Sequence, residues 1–305
     1  MTEPGNIQYL SHEQIDKVKW DHCINNASNG LIYAYSFYLD LMAKHWDALV
    51  LNDYEAVMPL TWNKKYGICY LYQPFLTAQL GVFARQVTGE IVSSFINSIP
   101  RKFQLVEIAL NHTNLDSSQV DLQLRMNYVL DMNHPIEFLQ QQYRENIKRN
   151  IKKSLQVGCT ITKDFAVDKV IELALQQMKG YDKESSENVE RFRKLYSFLY
   201  TKKMATTYGI TLNGEIVASC VFFFSHQRAY YILVGNHPNG KTIGASHALI
   251  DAFIQDHAGK DMLLDFEGSD IDGIASFYQS MNPINQHYFF VKYNNLPWYI
   301  KFFKR

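Results

Sequence analysis

The stretch ATTYGITLNGEIVASCVFFF, residues 205–224, contains two β-strand patterns separated by two turn residues. Residues 205–212 and 215–224 are rich in Thr, Tyr, Ile, Val and Phe, the side chains that favour strands. Asn213-Gly214 between them is typical of a tight two-residue hairpin. A further strand pattern follows at 228–234, so three consecutive antiparallel strands are predicted.

Working outward from this hairpin, the second half of the chain has a definite order of elements, β-α-α-β-β-β-α-β-α-β. The first half has two helical patterns followed by short aromatic-rich runs that indicate antiparallel hairpins. The predicted fold class is therefore α/β in the broad sense (α+β), with mixed, mostly antiparallel sheets flanked by helices. The elements predicted around the three strands are strand 159–165, helices 168–179 and 188–203, helix 243–257, strand 262–266, helix 272–280 and strand 287–293.

The length of 305 residues exceeds the roughly 250–300 at which a single hydrophobic core stops growing, so two domains are expected. Residues 135–155 separate the halves, because Tyr143, Ile147, Ile151 and Leu155 recur at four-residue intervals and indicate one buried helical stripe. We predict domains at 1–134 and 135–305, the second beginning with this helix.

The charge balance excludes a general attraction to nucleic acid or an anionic membrane, because 30 basic and 30 acidic residues cancel. The four cysteines are widely spaced, which fits neither a zinc site nor a disulfide-rich secreted scaffold. Neither a signal peptide nor an apolar run of about 20 residues is visible. These features together predict a cytoplasmic protein with free thiols and no membrane span.

The other faces of helix 135–155 are basic and carry Arg144, Lys148, Arg149 and Lys152. Such side chains can hold a phosphate-rich acceptor through charge-assisted hydrogen bonds. A solvated helix face explains them equally well. Nucleic-acid binding needs a wider basic surface than one helix provides.

The turn Gly240-Lys241-Thr242-Ile243-Gly244-Ala245-Ser246 lies between a predicted strand and a predicted helix. A helix N-terminus presents unpaired N–H groups and the positive end of its dipole to an anion. Gly240 and Gly244 would allow a phosphate to approach the backbone. The alternative is a tight strand-to-helix turn with ordinary capping.

Two carboxylates, Asp265 and Glu267, lie two residues apart on a predicted strand, so their side chains are expected on one face. Acyl transfer to an amine needs a route for the amine proton, and either carboxylate could orient or deprotonate the acceptor. Asp265 could equally cap a helix or pair with a basic neighbour. The histidines show no metal-ligand spacing, so no metal site is predicted.

The order of elements over 158–293 resembles that of the GNAT acyltransferase superfamily. Within it, residues 241–246 resemble the pyrophosphate-binding loop, and Ser276-Phe277-Tyr278 resembles the late-helix motif. The resemblance implies an acyl-coenzyme A donor held by residues 240–246. It also implies that Tyr278 faces the leaving thiolate and is a candidate acid. The alternative is a core position, since a Tyr beside Phe277 on an amphipathic helix is often buried for packing.

Residues 143–153 and the run Asp265-Phe266-Glu267-Gly268-Ser269 are similar to segments of FemABX-type proteins, which have two tandem GNAT-like domains. FemABX proteins transfer aminoacyl groups from tRNA onto peptidoglycan precursors. The resemblance therefore implies acyl transfer to an amine of a small-molecule, peptide or glycopeptide acceptor. The alternatives are a FemABX-like aminoacyl transferase with an aminoacyl-tRNA donor, or a degenerate GNAT-like binding module.

Overall fold

The computed structural model describes residues 6–114, 122–177, 186–268 and 270–296. The chain divides into two compact units: unit 1 is Met1–Arg125 with His287–Arg305, and unit 2 is Met126–Gln286. These units differ from the predicted 1–134 and 135–305 in two ways. The strand before the basic helix falls mainly in unit 2, and the last strand falls mainly in unit 1.

Unit 1 is a mixed sheet with helices. Strand β1 pairs with β2, β2 with β3, β3 with β4 and β5, β4 with β6, and β6 with β13. The β4–β6 pair is parallel and the others are antiparallel. The elements are β1(Ile7–Leu10), α1(Lys17–Asn26), α2(Ser36–Met42), β2(His45–Leu51), β3(Ala56–Lys65), β4(Ile68–Leu71), β5(Phe83–Ala84), α3(Gly89–Asn97), β6(Phe103–Ala109) and β13(Ile284–Asn294), with 3₁₀ turns at His12–Gln14 and Ile32–Ala34.

Unit 2 is also a mixed sheet flanked by helices. Its strands pair in the order β7, β12, β11, β10, β9, β8, and only the β11–β12 pair is parallel among them. The elements are β7(Leu122–Asp131), α4(Ile136–Gln141), α5(Glu145–Gln156), β8(Thr160–Lys163), α6(Val167–Gln177), α7(Ser186–Thr201), β9(Ala205–Leu212), β10(Glu215–Ser225), β11(Arg228–Asn236), α8(Pro238–Thr242), α9(Ala245–His257), β12(Leu263–Asp265) and α10(Asp272–Gln279).

The hairpin predicted from residues 205–224 is confirmed. Leu212 pairs with Glu215, and Asn213 and Gly214 both have positive φ angles, 53° and 83°. Mixed sheets with flanking helices, the predicted fold class, are confirmed in both units. From β8 onward the elements follow the predicted order with one difference: a short helix, α8, precedes α9 where a strand-to-helix turn was predicted.

The single helix predicted over 135–155 is wrong, because the chain forms α4 and α5 with a break at Gln142–Arg144. The buried face of α5 also differs from the predicted stripe. Ile147 is 1% and Ser154 0% exposed, whereas Leu155 is 60% exposed. Four residues rotate an α-helix by about 400°, so a four-residue repeat drifts about 40° per step and leaves the buried face by its fourth member.

Candidate functional site

The parallel pair β11–β12 is short and ends where the two strands diverge. It comprises Arg228 with Leu263, Ala229 with Leu264, and Tyr230 with Asp265. Just beyond Asp265 the chain stays against β7, which already pairs with β12, since the Phe266 N–H donates to the Tyr128 carbonyl at 3.0 Å.

Strand β11 itself continues to Asn236, paired with β10 on its other side. A register shift between its partners Val221 and Phe222 leaves Ile232 as an extra residue, a β-bulge. Bulges next to sites re-aim side chains and end strand pairing. The edge of β11 that faces β12 therefore loses its strand partner after Tyr230.

Tyr278 on α10 lies over this divergence. Its ring stacks on Phe266 with centroids 4.8 Å apart and contacts Tyr231 edge-on at 6.3 Å. The ring is buried in the core of unit 2. Burial, followed by the negative charges of Glu267 and Asp265, raises the pKa of Tyr278. The phenol therefore stays protonated and can donate a hydrogen bond.

Asp265 is enclosed by protein partners. Its side chain pairs with Arg228 Nη1 at 2.5 Å, and both side chains are under 10% exposed. The other carboxylate oxygen accepts hydrogen bonds from Asn127 Nδ2 at 3.0 Å and from the Glu267 N–H at 2.8 Å. These bonds satisfy a buried charge and hold the turn after β12. A direct catalytic role of Asp265 stays a prediction.

Glu267 does not lie on the strand, contrary to the expectation that it shares a strand face with Asp265. Strand β12 ends at Asp265, and Glu267 has a φ of 61° in the left-handed region. Gly268 follows with a φ of 74°, and a Cβ there would lie 2.1 Å from the Met126 carbonyl oxygen. The turn thus passes too close to β7 to continue as a strand. Glu267 is half-buried, and its charge acts on the nearby Tyr278 hydroxyl.

In the turn predicted to bind a phosphate, other parts of the backbone pack closely against both glycines. A Cβ on Gly240 would lie 2.1 Å from the Val217 carbonyl oxygen, and one on Gly244 would lie 2.5 Å from the Asn150 carbonyl oxygen. Gly244 also has a φ of 77° and precedes the first residue of α9. Close backbone packing and backbone conformation account for both glycines.

The other residues of the turn divide between core and surface. Thr242 is exposed and donates to the Asn239 carbonyl at 2.8 Å, while Ala245 is buried. Ile243 packs on the core of unit 2. Ser246 donates to Asn236 Oδ1 at 2.7 Å. The Lys241 side chain lies outside the described part of the chain, and anion binding by this turn stays a prediction.

The basic helix α5 runs beside this turn. Lys153 Nζ donates to the Thr242 carbonyl at 2.7 Å, and the Arg144 N–H donates to the Ser280 carbonyl at 2.9 Å, just after α10. Helix α5 therefore contacts both the turn and the end of the helix that carries Tyr278. The residues predicted to hold the acceptor are all exposed: Arg144, Lys148, Arg149 and Lys152. Among them, Lys148 forms an ion pair with Glu145 at 3.0 Å.

Two residues of this region were missed from the sequence. Arg228 is the basic partner of Asp265, 37 positions away along the chain, and no local pattern connects them. His247 lies in the first turn of α9 and contacts Phe277 edge-on at 4.7 Å. Burial lowers the pKa of His247 to about 4, so its imidazole is neutral at physiological pH.

The described residues contain no group of three or more His, Cys, Asp and Glu side chains able to hold a metal ion. Within the same residues, every helix is too short or too polar to cross a membrane.

Comparisons with known proteins agree with the fold. Residues 141–270 match the model of the acetyltransferase (GNAT) domain family. No curated protein matches the chain. The solved structures include FemX, at 11% identity and a TM-score of 0.65, covering 98% of this chain and 100% of that one.

Two further structures are similar over most of both chains. The C-terminal domain of a putative lysylphosphatidylglycerol synthetase from Agrobacterium fabrum has 8% identity and a TM-score of 0.57, covering 92% of each chain. A tandem GNAT protein from the clavulanic acid biosynthesis pathway has 8% identity and a TM-score of 0.51, covering 96% of this chain and 99% of that one. The predicted tandem GNAT-like, FemABX-like fold is confirmed.

Proposed function

We propose that this chain, a tandem GNAT-like protein of the FemABX-like kind, transfers an acyl group from a thioester such as acyl-coenzyme A to an amine. The observation that carries the proposal is the divergence of β11 from β12 beneath the buried ring of Tyr278, which stacks on Phe266 just after β12. The match of residues 141–270 to a GNAT acetyltransferase domain supports acyl transfer in general. The thioester donor and the acceptor are part of the proposal.

The donor lies along the unpaired edge of β11 in this proposal. The amide groups of a pantetheine arm can form main-chain hydrogen bonds with residues 231–236, as a peptide does when it adds to a sheet edge. The diphosphate of coenzyme A then reaches the N-terminus of α9, where the first N–H groups have no partners within the helix. Because both glycines face protein, this contact depends on the N–H groups of the turn and not on space left by glycine.

Glu267 takes up the proton of the attacking amine. Attack on the thioester carbonyl forms a C–N bond and releases one proton from nitrogen, and collapse of the tetrahedral intermediate breaks the C–S bond. The support for this role is that Glu267 is half-buried and its charge acts on Tyr278; a carboxylate there can accept the proton directly or through water. Asp265 accepts the Glu267 N–H and thereby positions this turn.

Tyr278 donates a hydrogen bond to the departing sulfur. A free thiol has a pKa of about 8.5, and an unperturbed tyrosine has one of about 10. Since burial raises the pKa of Tyr278 further, full proton transfer to the thiolate is unfavourable. The hydroxyl therefore stabilises the negative charge as it develops and leaves the proton to solvent-exposed groups.

The exposed basic residues of α5 hold the anionic part of the acceptor. Arg149 and Lys152 are exposed on the helix that contacts both the turn and the end of α10. Two charge-assisted hydrogen bonds can be made there to phosphate or carboxylate groups. The acceptor is therefore a small molecule, peptide or glycopeptide that carries both an amine and an anion.

The first experiment measures acetyl transfer by mass spectrometry, with acetyl-coenzyme A and a panel of amines. Tyr278→Phe is expected to lower kcat about 10–100-fold, because only a transition-state hydrogen bond is lost. Tyr208→Phe is the matched control, since its buried hydroxyl bonds Asp256 at 2.7 Å on α9, and it should retain activity within a factor of two. Equal activity of wild type and Tyr278→Phe would overturn the assignment of Tyr278.

The second experiment tests the donor. Acetyl-coenzyme A is expected to raise the Tm of the wild-type protein, as a ligand that binds only the folded state must. If the Tm is unchanged and transfer from an aminoacyl-tRNA is observed, the donor is an aminoacyl-tRNA, as the alternative prediction states, and not a thioester. An unchanged Tm with no transfer from either donor would leave the chain a binding module and refute the transferase proposal.

A further inference from the structure

Glu267 has a backbone conformation that a glutamate rarely adopts. Its φ of 61° lies in the left-handed region, where a residue with a Cβ is strained. Such strain persists only where the surrounding structure enforces it, and it is concentrated at functional sites. Glu267 is also the proposed proton acceptor, so the groups that enforce its conformation also place its carboxylate.

Two contacts enforce this conformation, one on each side of Glu267. On one side, its N–H donates to Asp265 Oδ1 at 2.8 Å. On the other side, Gly268 passes so close to β7 that a Cβ there would lie 2.1 Å from the Met126 carbonyl oxygen and 3.1 Å from Asn127 Cα. The turn is therefore held by the Asp265 carboxylate before Glu267 and by close packing on β7 after it.

The Asp265 carboxylate can hold the turn only if its own rotation is fixed. Asn127 Nδ2 donates at 3.0 Å to the same oxygen, Oδ1, that accepts the Glu267 N–H. Arg228 Nη1 donates to the other oxygen, Oδ2, at 2.5 Å. Because each oxygen has a donor, the carboxylate cannot rotate without breaking a buried hydrogen bond.

The Asn127 amide is itself fixed at both ends. Asn127 is fully buried on β7, and its Oδ1 accepts the Tyr128 N–H at 2.8 Å while its Nδ2 donates to Asp265. Turning the amide over would place Oδ1 against the Asp265 carboxylate and Nδ2 against an N–H donor, and both contacts would be repulsive. The amide therefore has one orientation, and it sets one orientation of Asp265.

Asn127 and Arg228 contribute differently to this network. Arg228 neutralises the buried charge of Asp265 and also donates to Gln286 at 3.3 Å, so its loss would destabilise the fold. Asn127 is neutral, and it shares with Glu267 the oxygen that holds the turn. Removal of the Asn127 amide therefore releases the turn while the ion pair remains.

We propose that Asn127 is a positioning residue, which acts through Asp265 to hold the Glu267 carboxylate where it accepts the proton of the attacking amine. This inference rests on the proposed function, since it concerns the same proton transfer. Because Asn127 is fully buried, it takes part without touching a substrate. A residue with a structural role alone would lower stability and leave the proton transfer unchanged.

The test compares Asn127→Ala with Asn111→Ala in the acetyl-transfer assay, well below the Tm of each variant. Asn127→Ala is expected to lower kcat about 10-fold and leave KM within about a factor of two, because a misplaced proton acceptor slows the chemical step without weakening binding. Asn111 is the matched control in unit 1. It is fully buried, and its amide donates to the Asn29 carbonyl at 2.8 Å and accepts the Thr113 N–H at 3.0 Å. Asn111→Ala should lower stability and keep kcat within about a factor of two.

A double-mutant cycle shows whether Asn127 acts through Glu267. Glu267→Gln is expected to lower kcat by itself, and adding Asn127→Ala should then cause no further loss, since residues that act as one unit are not additive. A further loss equal to that in the wild-type background would overturn the proposal, as would an unchanged kcat in Asn127→Ala alone. Asn127→Ser, whose side chain is one bond shorter than Asn, replaces Asn127→Ala if circular dichroism shows that variant to be unfolded.

Amide hydrogen exchange separates this inference from the proposed function. The Glu267 N–H should exchange about 10-fold faster in Asn127→Ala than in wild type, because its acceptor is no longer fixed, and at the wild-type rate in Asn111→Ala. Faster exchange without acyl transfer by the wild type would refute the proposed function and support the hold of Asn127 on Glu267. Unaltered exchange in Asn127→Ala would refute the positioning role, whether or not the wild type transfers acetyl groups.

Discussion

The turn at 240–246 in unit 2 and the unit 1 pocket, an open cavity lined by Tyr9, Asp47, Trp62 and Lys102 among others, differ in how their space is filled. At the turn, the backbones of Val217 and Asn150 occupy the positions that a Cβ on Gly240 or Gly244 would need. In the pocket, the volume is open and a buried indole N–H has no acceptor among the described residues. A glycine motif can therefore be explained by packing alone, whereas close packing around Trp62 leaves a buried donor without an acceptor among the described residues.

The largest effect is expected at the enclosed end of β12. Asp265→Asn removes the carboxylate charge that neutralises the buried Arg228 guanidinium, which should cost about 3–5 kcal/mol of unfolding free energy. Urea denaturation measures it. The exposed Asp53→Asn, which breaks a surface pair with Lys19, should leave the urea midpoint unchanged. Similar midpoints for both variants would show that the β12 end is not closed as described.

The packing explanation of the turn is tested by two glycines that share a left-handed φ angle. Gly244→Ala meets Asn150 at 2.5 Å, whereas Gly158→Ala, at a φ of 86°, meets no atom within 4 Å. Backbone strain alone should cost about 1 kcal/mol at Gly158, and the added clash should bring Gly244 to about 3 kcal/mol. Equal losses in chemical denaturation would mean that α5 does not pack on the turn, leaving its glycines available to a ligand.

His247 tests whether the first turn of α9 is enclosed at neutral pH. Its pKa of about 4 in the fold is below the value of about 6.5 in an unfolded chain, so the unfolded state binds more protons between these values. Stability from this residue is complete above pH 6.5 and is lost as the pH falls toward 4. From pH 7 to pH 4.5, wild type should lose about 1–2 kcal/mol more than His247→Gln. Parallel pH profiles would place His247 in solvent.

The smallest effect on stability is expected for a substitution of Trp62, which lines the unit 1 pocket. Trp62→Phe removes a donor that has no partner, so stability should stay the same or rise by up to about 1 kcal/mol. Trp20→Phe is the contrasting variant, because the Trp20 N–H is bonded to Ala34 and the ring is fully buried, and it should lose about 1–3 kcal/mol. Thermal unfolding of the two variants distinguishes these outcomes. An equal loss in both would mean that the Trp62 N–H is satisfied.

Prediction from the sequence succeeded where neighbours along the chain decide the structure. Asn213-Gly214 gave the hairpin because two adjacent residues with positive φ suffice to turn a chain. Prediction from the sequence failed where contacts between distant segments of the chain decide the local structure. The predicted strand through Glu267 ends at Asp265 because Gly268 passes against Met126, 142 positions earlier in the chain. Tyr278 was identified by resemblance, but its ring contacts with Phe266 and Tyr231 depend on the fold.

The sequence by itself determined the class of the fold and the order of most strands and helices after β8, because periodicity and turn chemistry are written in contiguous residues. The tertiary structure decided which groups are enclosed: the pairing of Arg228 with Asp265, the packing on Gly244 and the unsatisfied indole of Trp62. Burial and the partner of a polar group depend on side chains brought together from far along the chain. Spacing in a single sequence does not record those distances.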